Sequence, residues 1–326
     1  MHDVTGRKTS ILLVIDCEPD VRETLLGRPD PWFGFERLFD FLSAQRTLLS
    51  ARTGVSTRFA WFWRMDPQID LTYGHADWAI RTYGSQIADA RRCGDEVGVH
   101  VHAWRWEAAL CRWISDHGDR SWVEHCVRTS LTEFERAFGE PCRIFRFGDG
   151  WLDNSTVALI ESLGVHIDLT LEPGGEETPC LAPNELSTGF IPDRRKVPAR
   201  PYHPSRADFR KPDRRGDSRL WMLPVSTAHL QPPLPFLRRF LRPAAQNRPV
   251  SQLNLGLEPR DFLHVFNQAV SREACSYVAI CVRTDVGSNE GLMSRVQENL
   301  FGILDHRLAK QFVFTSPAAA LASFVG

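Results

Sequence analysis

Two short stretches of the chain each place a pair of ionisable side chains two residues apart. His100 and His102 lie in the sequence GDEVGVHVHAWRW, and Asp16 and Glu18 lie in ILLVIDCEPD. Imidazoles and carboxylates bind metal ions and transfer protons, so each pair is a candidate for chemistry. If the fold brings the pairs together, two imidazoles and two carboxylates meet in one place.

Each pair stands at the end of a predicted β-strand. Side chains at positions i and i+2 of a strand point to the same face, so the two imidazoles face one way, as do the two carboxylates. Residues 11–15 form a continuous apolar run, which is typical of a strand buried on both faces, and 96–101 is predicted to be a second strand. In one parallel sheet the two pairs would meet at the carboxyl edge, where α/β folds place their chemistry.

The composition limits the classes of partner. With 326 residues and a net charge of −1 at pH 7, the chain has no electrostatic footprint for nucleic acid or an anionic membrane. No apolar run approaches the roughly 20 residues that span a bilayer, and the start, MHDVTGRKTS, lacks the apolar core of a signal peptide. The eight cysteines form no C-x-x-C pair and predict no disulfide framework. We expect a cytoplasmic protein with a small or neutral partner.

Strand and helix signals alternate along most of the chain. This alternation predicts a single domain over 1–326, a distorted or incomplete (β/α) barrel of seven to eight strands. Two irregular stretches, at about 172–218 and 231–258, are predicted to be lid insertions over the carboxyl edge of the sheet. The predicted strands are 11–15, 56–63, 96–101, 142–147, 165–171, 219–224, 277–282 and 311–315, and the predicted helices are 35–49, 76–93, 113–138, 154–163, 259–271, 288–306 and 317–324.

At this point the chain resembles the polysaccharide deacetylase family of carbohydrate esterases. The resemblance covers most of the chain and runs in order through LVIDCEPD, GDEVGVHVHAW and FRFGDGWLDNSTVALIESLGVHIDLT. A W-F-x-R-x-D segment at 61–66 and a Y-H-P-S segment at 202–205 are similar to those of intracellular-type members associated with glycan biosynthesis. The resemblance implies a distorted (β/α) barrel that binds one divalent metal through a carboxylate and two histidines.

The resemblance also implies roles for individual residues. Asp16 matches the family's catalytic aspartate, and Arg146 matches the arginine that holds this aspartate in place. Glu18, His100 and His102 are the expected metal ligands, with zinc expected first and cobalt, nickel, manganese or iron as alternatives. Such a metal polarises an amide or ester carbonyl and lowers the pKa of its water. Candidate substrate-binding residues are Asp66, Trp104, Asp149 and His203.

Three positions depart from the family's commonest pattern. Cys17 stands where the second of two adjacent aspartates is usual, so Glu18 is the substitute ligand. Trp104 stands four residues after the first histidine, where the second is usual, so His102 takes that role. Arg283 stands in AICVRTDVGS, where a histidine often serves as general acid. Since an arginine stays protonated, either another group protonates the leaving amine, or Arg283 stabilises developing negative charge, or the chemistry is different.

We therefore expect a metal-dependent hydrolase that removes an N- or O-linked acetyl group from a carbohydrate or a glycan-biosynthesis intermediate. Two alternatives stay open: a non-catalytic glycan-binding protein on the same barrel, and a metal-dependent hydrolase of another bond, because a fold does not fix a reaction. The two histidines could also be a hydrogen-bonded structural pair. The tryptophans near the predicted site are either platforms that bind sugar rings or residues of the apolar core. The arginines of 194–196 and 214–215 are expected to lie on the solvated surface of the lid.

Overall fold

The structure, a computed structural model, describes residues 8–29, 31–180, 186–230, 249–272 and 277–325. Its strands are β1 (Thr9–Cys17), β2 (Ala60–Arg64), β3 (Glu96–Val101), β4 (Trp104–Glu107), β5 (Arg112–Asp116), β6 (Ile144–Phe147), β7 (Ile167–Asp168), β8 (Thr178–Pro179), β9 (Leu186–Thr188), β10 (Phe190–Ile191), β11 (Trp221–Met222), β12 (Thr227–His229), β13 (Val250–Gln252), β14 (Tyr277–Arg283) and β15 (Phe312–Phe314). Its helices are α1 (Phe33–Thr53), α2 (Pro67–Tyr73), α3 (Trp78–Thr82), α4 (Gly84–Arg92), α5 (Arg120–Phe138), α6 (Asn154–Ser162), α7 (Pro259–Val270), α8 (Glu290–Leu304) and α9 (Pro317–Val325).

A parallel sheet curls into a half-barrel at the centre of the molecule. Seven strands follow one another in the order β11-β7-β6-β3-β2-β1-β14, and β15 pairs with β1 as an eighth. Every ladder of this sheet is parallel, as the strand and helix alternation requires. The predicted incomplete (β/α) barrel is confirmed.

Strand β1 shows why the sequence folds this way. All nine of its residues are buried, and they alternate between two apolar clusters. Ile11, Leu13 and Ile15 pack with the helices on the outer face of the sheet, whereas Leu12 and Val14 face the barrel interior. An apolar run that is buried on both faces therefore ends with a carboxylate, at residue 16, on the interior face.

The amino end of the barrel is closed by helix α9. Ala320 of α9 joins the interior cluster. Ala318 N donates a hydrogen bond to Glu96 Oε1 at 3.1 Å, and the hydroxyls of Ser10 and Ser323 lie 3.4 Å apart. Helix α9 therefore covers the amino end of the barrel interior.

The seam between β11 and β14 is bridged by irregular chain. Ser226 N donates to Ala279 O at 3.1 Å, and Cys281 N donates to Leu253 O at 2.9 Å. Leu255 N donates to Cys281 O at 2.9 Å and Leu253 N to Ser226 O at 2.7 Å. Backbone hydrogen bonds from this irregular chain thus connect the two edge strands, which do not pair with each other.

Strands β3 and β6 approach closely beneath the predicted histidine pair. A Cβ atom on Gly98 would lie 2.3 Å from the backbone oxygen of Ile144. Glycine is required there because neither backbone can move without breaking the ladder that joins them.

Two helix predictions are wrong in part. The stretch 113–138 does not form one helix, because Arg112–Asp116 is strand β5, which pairs with β4 and β9. Helix α5 begins only at Arg120, where Asp119 accepts hydrogen bonds from the backbone of Ser121 and Trp122. The stretch 76–93 is two helices, α3 and α4, and α2 forms where a loop was expected.

The described parts of the first predicted lid, 172–180 and 186–218, are mostly irregular, and their named elements are the short strands β8, β9 and β10. Of the second, 231–258, residues 231–248 lie outside the described residues, and β13 of its remainder pairs with β12. Among the described residues, no helix is both long and apolar enough to cross a lipid bilayer.

Candidate active site

Five neighbouring strands each end in an ionisable residue on the interior face of the barrel. They form two adjacent levels of the sheet: Arg64 pairs with His100 and His100 with Arg146, whereas Asp16 pairs with Arg283 on one side and with Phe62, two residues before Arg64, on the other. The carboxyl end of the barrel therefore carries a ring of one carboxylate, one imidazole and three guanidinium groups. This is the end of the sheet at which α/β folds place their functional residues.

Glu18, His100 and His102 converge at the centre of this ring. The two Nε2 atoms of the histidines lie 3.0 Å apart. His100 Nε2 lies 3.2 Å from Glu18 Oε1, and His102 Nε2 lies 3.7 Å from Glu18 Oε2. The three side chains are at most 3% exposed. The structure thus brings together the three predicted metal ligands.

The spacing of these donor atoms fits a divalent metal ion. Ligands about 2.1 Å from a tetrahedral zinc ion are about 3.4 Å from one another, and the three separations here scatter around that value. Glu18 Oε2 is buried and accepts no hydrogen bond within the described structure. One carboxylate and two imidazoles also form a donor set that suits zinc and other late first-row metals.

Glu18 is held in place although it lies just beyond the end of β1. Its backbone N–H donates to Thr284 Oγ1 at 2.9 Å, and the same hydroxyl donates to the backbone oxygen of Glu18 at 3.0 Å. Arg283 Nε lies 3.3 Å from Glu18 Oε1, and Arg64 Nη1 lies 3.5 Å from Oε2. Burial alone would raise the pKa of Glu18, but Arg283 and the adjacent imidazoles of His100 and His102 hold that pKa well below its usual range.

Asp16 and Arg146 form a buried ion pair beside the cluster. Arg146 Nε donates to both carboxylate oxygens, at 2.8 and 3.1 Å, and Nη1 donates to Leu169 O at 2.5 Å. Asp16 Oδ1 lies 3.8 Å from His100 Nδ1. The predicted pairing of Asp16 with Arg146 is therefore present in the structure.

The first lid reaches this ion pair through Glu172 and Arg194. Glu172 Oε1 lies 4.0 Å from Arg146 Nη2, and Glu172 Oε2 accepts a hydrogen bond from Arg194 Nη1 at 3.2 Å. The expectation of a solvated arginine is wrong for Arg194, whose side chain is 11% exposed, but Arg195 is 59% exposed. Arg194 can be buried because Gly150 has no side chain: a Cβ atom there would lie 2.4 Å from Arg194 Nη1.

Asp149 and Trp104 lie on the other side of His102. Asp149 Oδ2 is 3.3 Å from His102 Nδ1, and Arg22 forms an ion pair with Asp149. Burial alone would raise the pKa of Asp149, but His102 and then Arg22 lower it well below its usual range. The guanidinium of Arg22 lies 5.3 Å from the ring centroid of Trp104, which has no exposed surface.

The structure does not bring every candidate to the open centre. Asp66 is fully buried, accepts from His102 N at 3.2 Å and pairs with Arg64 at 3.0 Å, so it lies behind the cluster. His203 lies away from it, with Nδ1 2.8 Å from Leu220 O and its ring 3.8 Å from that of Trp221. A substrate-binding role for these two residues stays a prediction.

Sequence reasoning missed Arg64 as a member of the ring. It is fully buried, contacts Glu18 and donates to Gln68 Oε1 at 2.6 Å. The signal was present, because Arg64 ends an apolar strand two residues after the interior residue Phe62, the same pattern that singled out Asp16. Cys17, by contrast, belongs to the outer cluster and faces away from the site.

His117 is a second missed residue, and its burial predicts a pH dependence of stability. It is 5% exposed and packs on Trp151, with 5.2 Å between the ring centroids, and burial lowers its pKa to about 4. An unfolded histidine has a pKa of about 6.5, so the unfolded chain binds more protons between these values and stability falls as the pH falls through this window. Over the whole window, this pKa difference lowers the free energy of unfolding by roughly 3 kcal/mol.

Replacing His117 with glutamine is expected to remove the part of the acid-induced fall in the free energy of unfolding that comes from this histidine. Urea unfolding of both proteins at pH 7.5 and at pH 4.5 measures it. An equal fall in the free energy of unfolding for the two proteins would contradict the assignment.

Comparison with known proteins identifies the fold. No protein-family model and no curated protein sequence matches the chain. A proposed glycoside hydrolase/deacetylase from Parabacteroides distasonis is 13% identical with a TM-score of 0.57, over 99% of this chain and 73% of that one. The Puue allantoinase is 12% identical with a TM-score of 0.52, over 98% and 91%. These two similarities show that the chain shares its fold with both proteins, whose names denote different activities.

Proposed function

We propose, with a polysaccharide deacetylase-like (β/α) barrel as the premise, that this chain is a metal-dependent hydrolase of acetylated carbohydrates. It would remove an N- or O-linked acetyl group from a carbohydrate or a glycan-biosynthesis intermediate. The observation that carries this proposal is the position of the Asp16–Arg146 pair, whose carboxylate lies 3.8 Å from His100 beside the convergent donors of Glu18, His100 and His102.

Glu18, His100 and His102 would hold the metal, with zinc as the first candidate. A divalent metal bound there polarises the carbonyl oxygen of the acetyl group and makes a water molecule more acidic. The three donors are buried, so the low local dielectric would strengthen these electrostatic effects.

Asp16 is assigned as the general base. Its two hydrogen bonds from Arg146 Nε fix the carboxylate, and a fixed carboxylate can take the proton of an attacking water without reorganising. When the carbon–nitrogen or carbon–oxygen bond of the acetyl group breaks, the leaving group needs one proton. Asp16 can return the proton that it accepted, which balances the hydrolysis.

Arg283 cannot supply that proton, because a guanidinium stays protonated at all working pH values. Its Nη2 donates to Asp285 Oδ2 at 2.9 Å, and the side chain is 31% exposed. A partly exposed cation next to Glu18 is placed to stabilise negative charge that develops on the substrate. We assign it this electrostatic role.

A second candidate is the hydrolysis of an amide in a substrate that is not a sugar. The observation in its favour is that an allantoinase shares the fold of this chain. The catalytic residues would be the same, and only the substrate contacts would differ.

The test combines metal analysis with an activity screen. The purified protein is loaded with zinc, cobalt, nickel, manganese or iron, dialysed, and analysed for bound metal. Acetate release is then measured with acetylated mono- and oligosaccharides, and ring opening is measured with allantoin. Metal-dependent acetate release supports the proposal, and turnover of allantoin alone supports the second candidate. A metal-loaded protein that turns over neither substrate class would overturn both in favour of a glycan-binding protein.

A further inference from the structure

The structure assigns to Asp149 a positioning role: its carboxylate orients the ring of His102 so that Nε2 faces Glu18 and His100. This inference rests on the proposed function, because it concerns the same metal centre. It also changes the role expected for Asp149, from contact with substrate to contact with a metal ligand.

The first argument concerns the two nitrogens of His102. A histidine that binds a metal through Nε2 must carry its proton on Nδ1, and an acceptor at Nδ1 selects that tautomer. Asp149 Oδ2 lies 3.3 Å from Nδ1, which is buried and has no aligned hydrogen-bond partner among the described residues, whereas Nε2 lies 3.0 Å from His100 Nε2 and 3.7 Å from Glu18 Oε2. The acid is thus on the side of the ring that faces away from the proposed metal.

The second argument concerns the space around the ring. A Cβ on Gly148 would lie 2.2 to 2.5 Å from three atoms of the His102 ring, so the ring packs directly against the glycine backbone. The backbone N–H of His102 donates to Asp66 Oδ2 at 3.2 Å. The main chain and one face of the ring are therefore fixed, and Asp149 fixes the direction of Nδ1.

The third argument concerns the support of Asp149 itself. Its backbone has φ of 58°, the left-handed region that aspartate tolerates better than most residues, in the turn Gly148–Gly150. Arg22 pairs with its carboxylate and stacks over Trp104. Trp104 has no exposed surface, so it gives Arg22 a fixed support beside the carboxylate of Asp149.

The test uses the variants Asp149→Gly and Asp149→Asn, because glycine and asparagine both accept a positive φ. Asp89→Asn is the matched control: its carboxylate is 56% exposed and pairs with Arg92 within helix α4, which ends before β3 begins, at the amino end of the sheet. Two properties are measured. Long-range 1H–15N spectra of the metal-free proteins at alkaline pH report the tautomer of His102, which a His102→Gln spectrum assigns. Competition with a chromophoric chelator reports zinc affinity.

We expect His102 to carry its proton on Nδ1 in the wild-type protein and in the control. Asp149→Gly should shift the tautomer toward Nε2–H and lower zinc affinity about 10- to 100-fold, as the loss of an outer partner of a metal-binding histidine does elsewhere. Asp149→Asn should lose less, because its amide oxygen still accepts. A wild-type tautomer and affinity in Asp149→Gly would overturn the inference. If the wild-type protein binds no zinc but Asp149→Gly shifts the tautomer, the positioning role stands and the proposed function fails.

Discussion

Replacing Asp16 with asparagine is expected to lower the rate of acetate release about 100- to 10,000-fold, the contribution typical of a general base. The amide has the shape of the carboxylate but cannot accept a proton from water at neutral pH. Asp16 lies outside the triangle of Glu18, His100 and His102, so the metal content should not change. The measurements are kcat for acetate release and elemental analysis of the same sample.

The change from Asp16 to asparagine leaves Arg146 buried beside a neutral partner, which costs stability. Thermal unfolding is therefore recorded with the kinetics, and only protein that is folded at the assay temperature is compared. The variant Asp89→Asn serves as the aspartate-to-asparagine control, because its exposed acid is likewise paired with an arginine, Arg92, on helix α4. Loss of the metal together with activity would identify Asp16 as a ligand, and an unchanged rate would refute its role as base.

Replacing both His100 and His102 with alanine is expected to remove the bound metal, about one ion per chain in the wild-type protein, and to reduce acetate release to the uncatalysed background. Two of three donors are lost, and Glu18 alone with its arginine partners cannot retain a divalent cation. Elemental analysis before and after dialysis against excess zinc measures the metal. The excess is needed because two guanidinium groups near Glu18 weaken the attraction of that carboxylate for a cation.

His166→Ala is the matched control for the histidine variants. His166 is exposed, and its ring contacts Arg143 just before β7, at the amino end of the sheet. The control should keep both metal and activity. Metal that survives in the double variant, or activity that survives without metal, would each contradict the assignment of the three ligands.

The location of the site could be predicted because two recognisable strands end at it. Asp16 and His100 lie near the carboxyl ends of β1 and β3, and Glu18 and His102 follow just after these ends, so the two-residue period of a strand was sufficient to place each pair on one face. The parallel sheet then follows from the helices between the strands. That reasoning needs no knowledge of contacts between residues distant in sequence.

The hairpin of β4 and β5 could not be predicted in this way. Trp113 lies in an apolar stretch that also suits a helix, and its strand exists because it pairs with β4 and with β9, about seventy residues away. A local signal was nevertheless available at the true start of the helix, since Gly118 and Asp119 are a turn residue and an N-cap.

The environment of the ligands was also beyond the sequence. Three arginines, Arg22, Arg64 and Arg283, come from different strand ends or loops. The strand period places Arg64 on the interior face, but no local sequence signal says that the three converge on Glu18 or Asp149. Such ion pairs depend on the curl of the sheet, which sets the distances across the barrel. The surroundings of Cys17 and Trp104 could not be predicted either: Cys17 packs in the outer apolar cluster, and Trp104 packs against Arg22.

The two edges of β14 differ in their backbone hydrogen bonding. Strands β14 and β1 are joined along their length, from Tyr277 with Ser10 to Arg283 with Asp16, whereas the opposite edge of β14 is held by a few bonds with Ser226, Leu253 and Leu255. Local opening begins where the fewest hydrogen bonds must break at once. We therefore expect hydrogen exchange to be faster at the seam than along the ladder that keeps Asp16 beside Arg283.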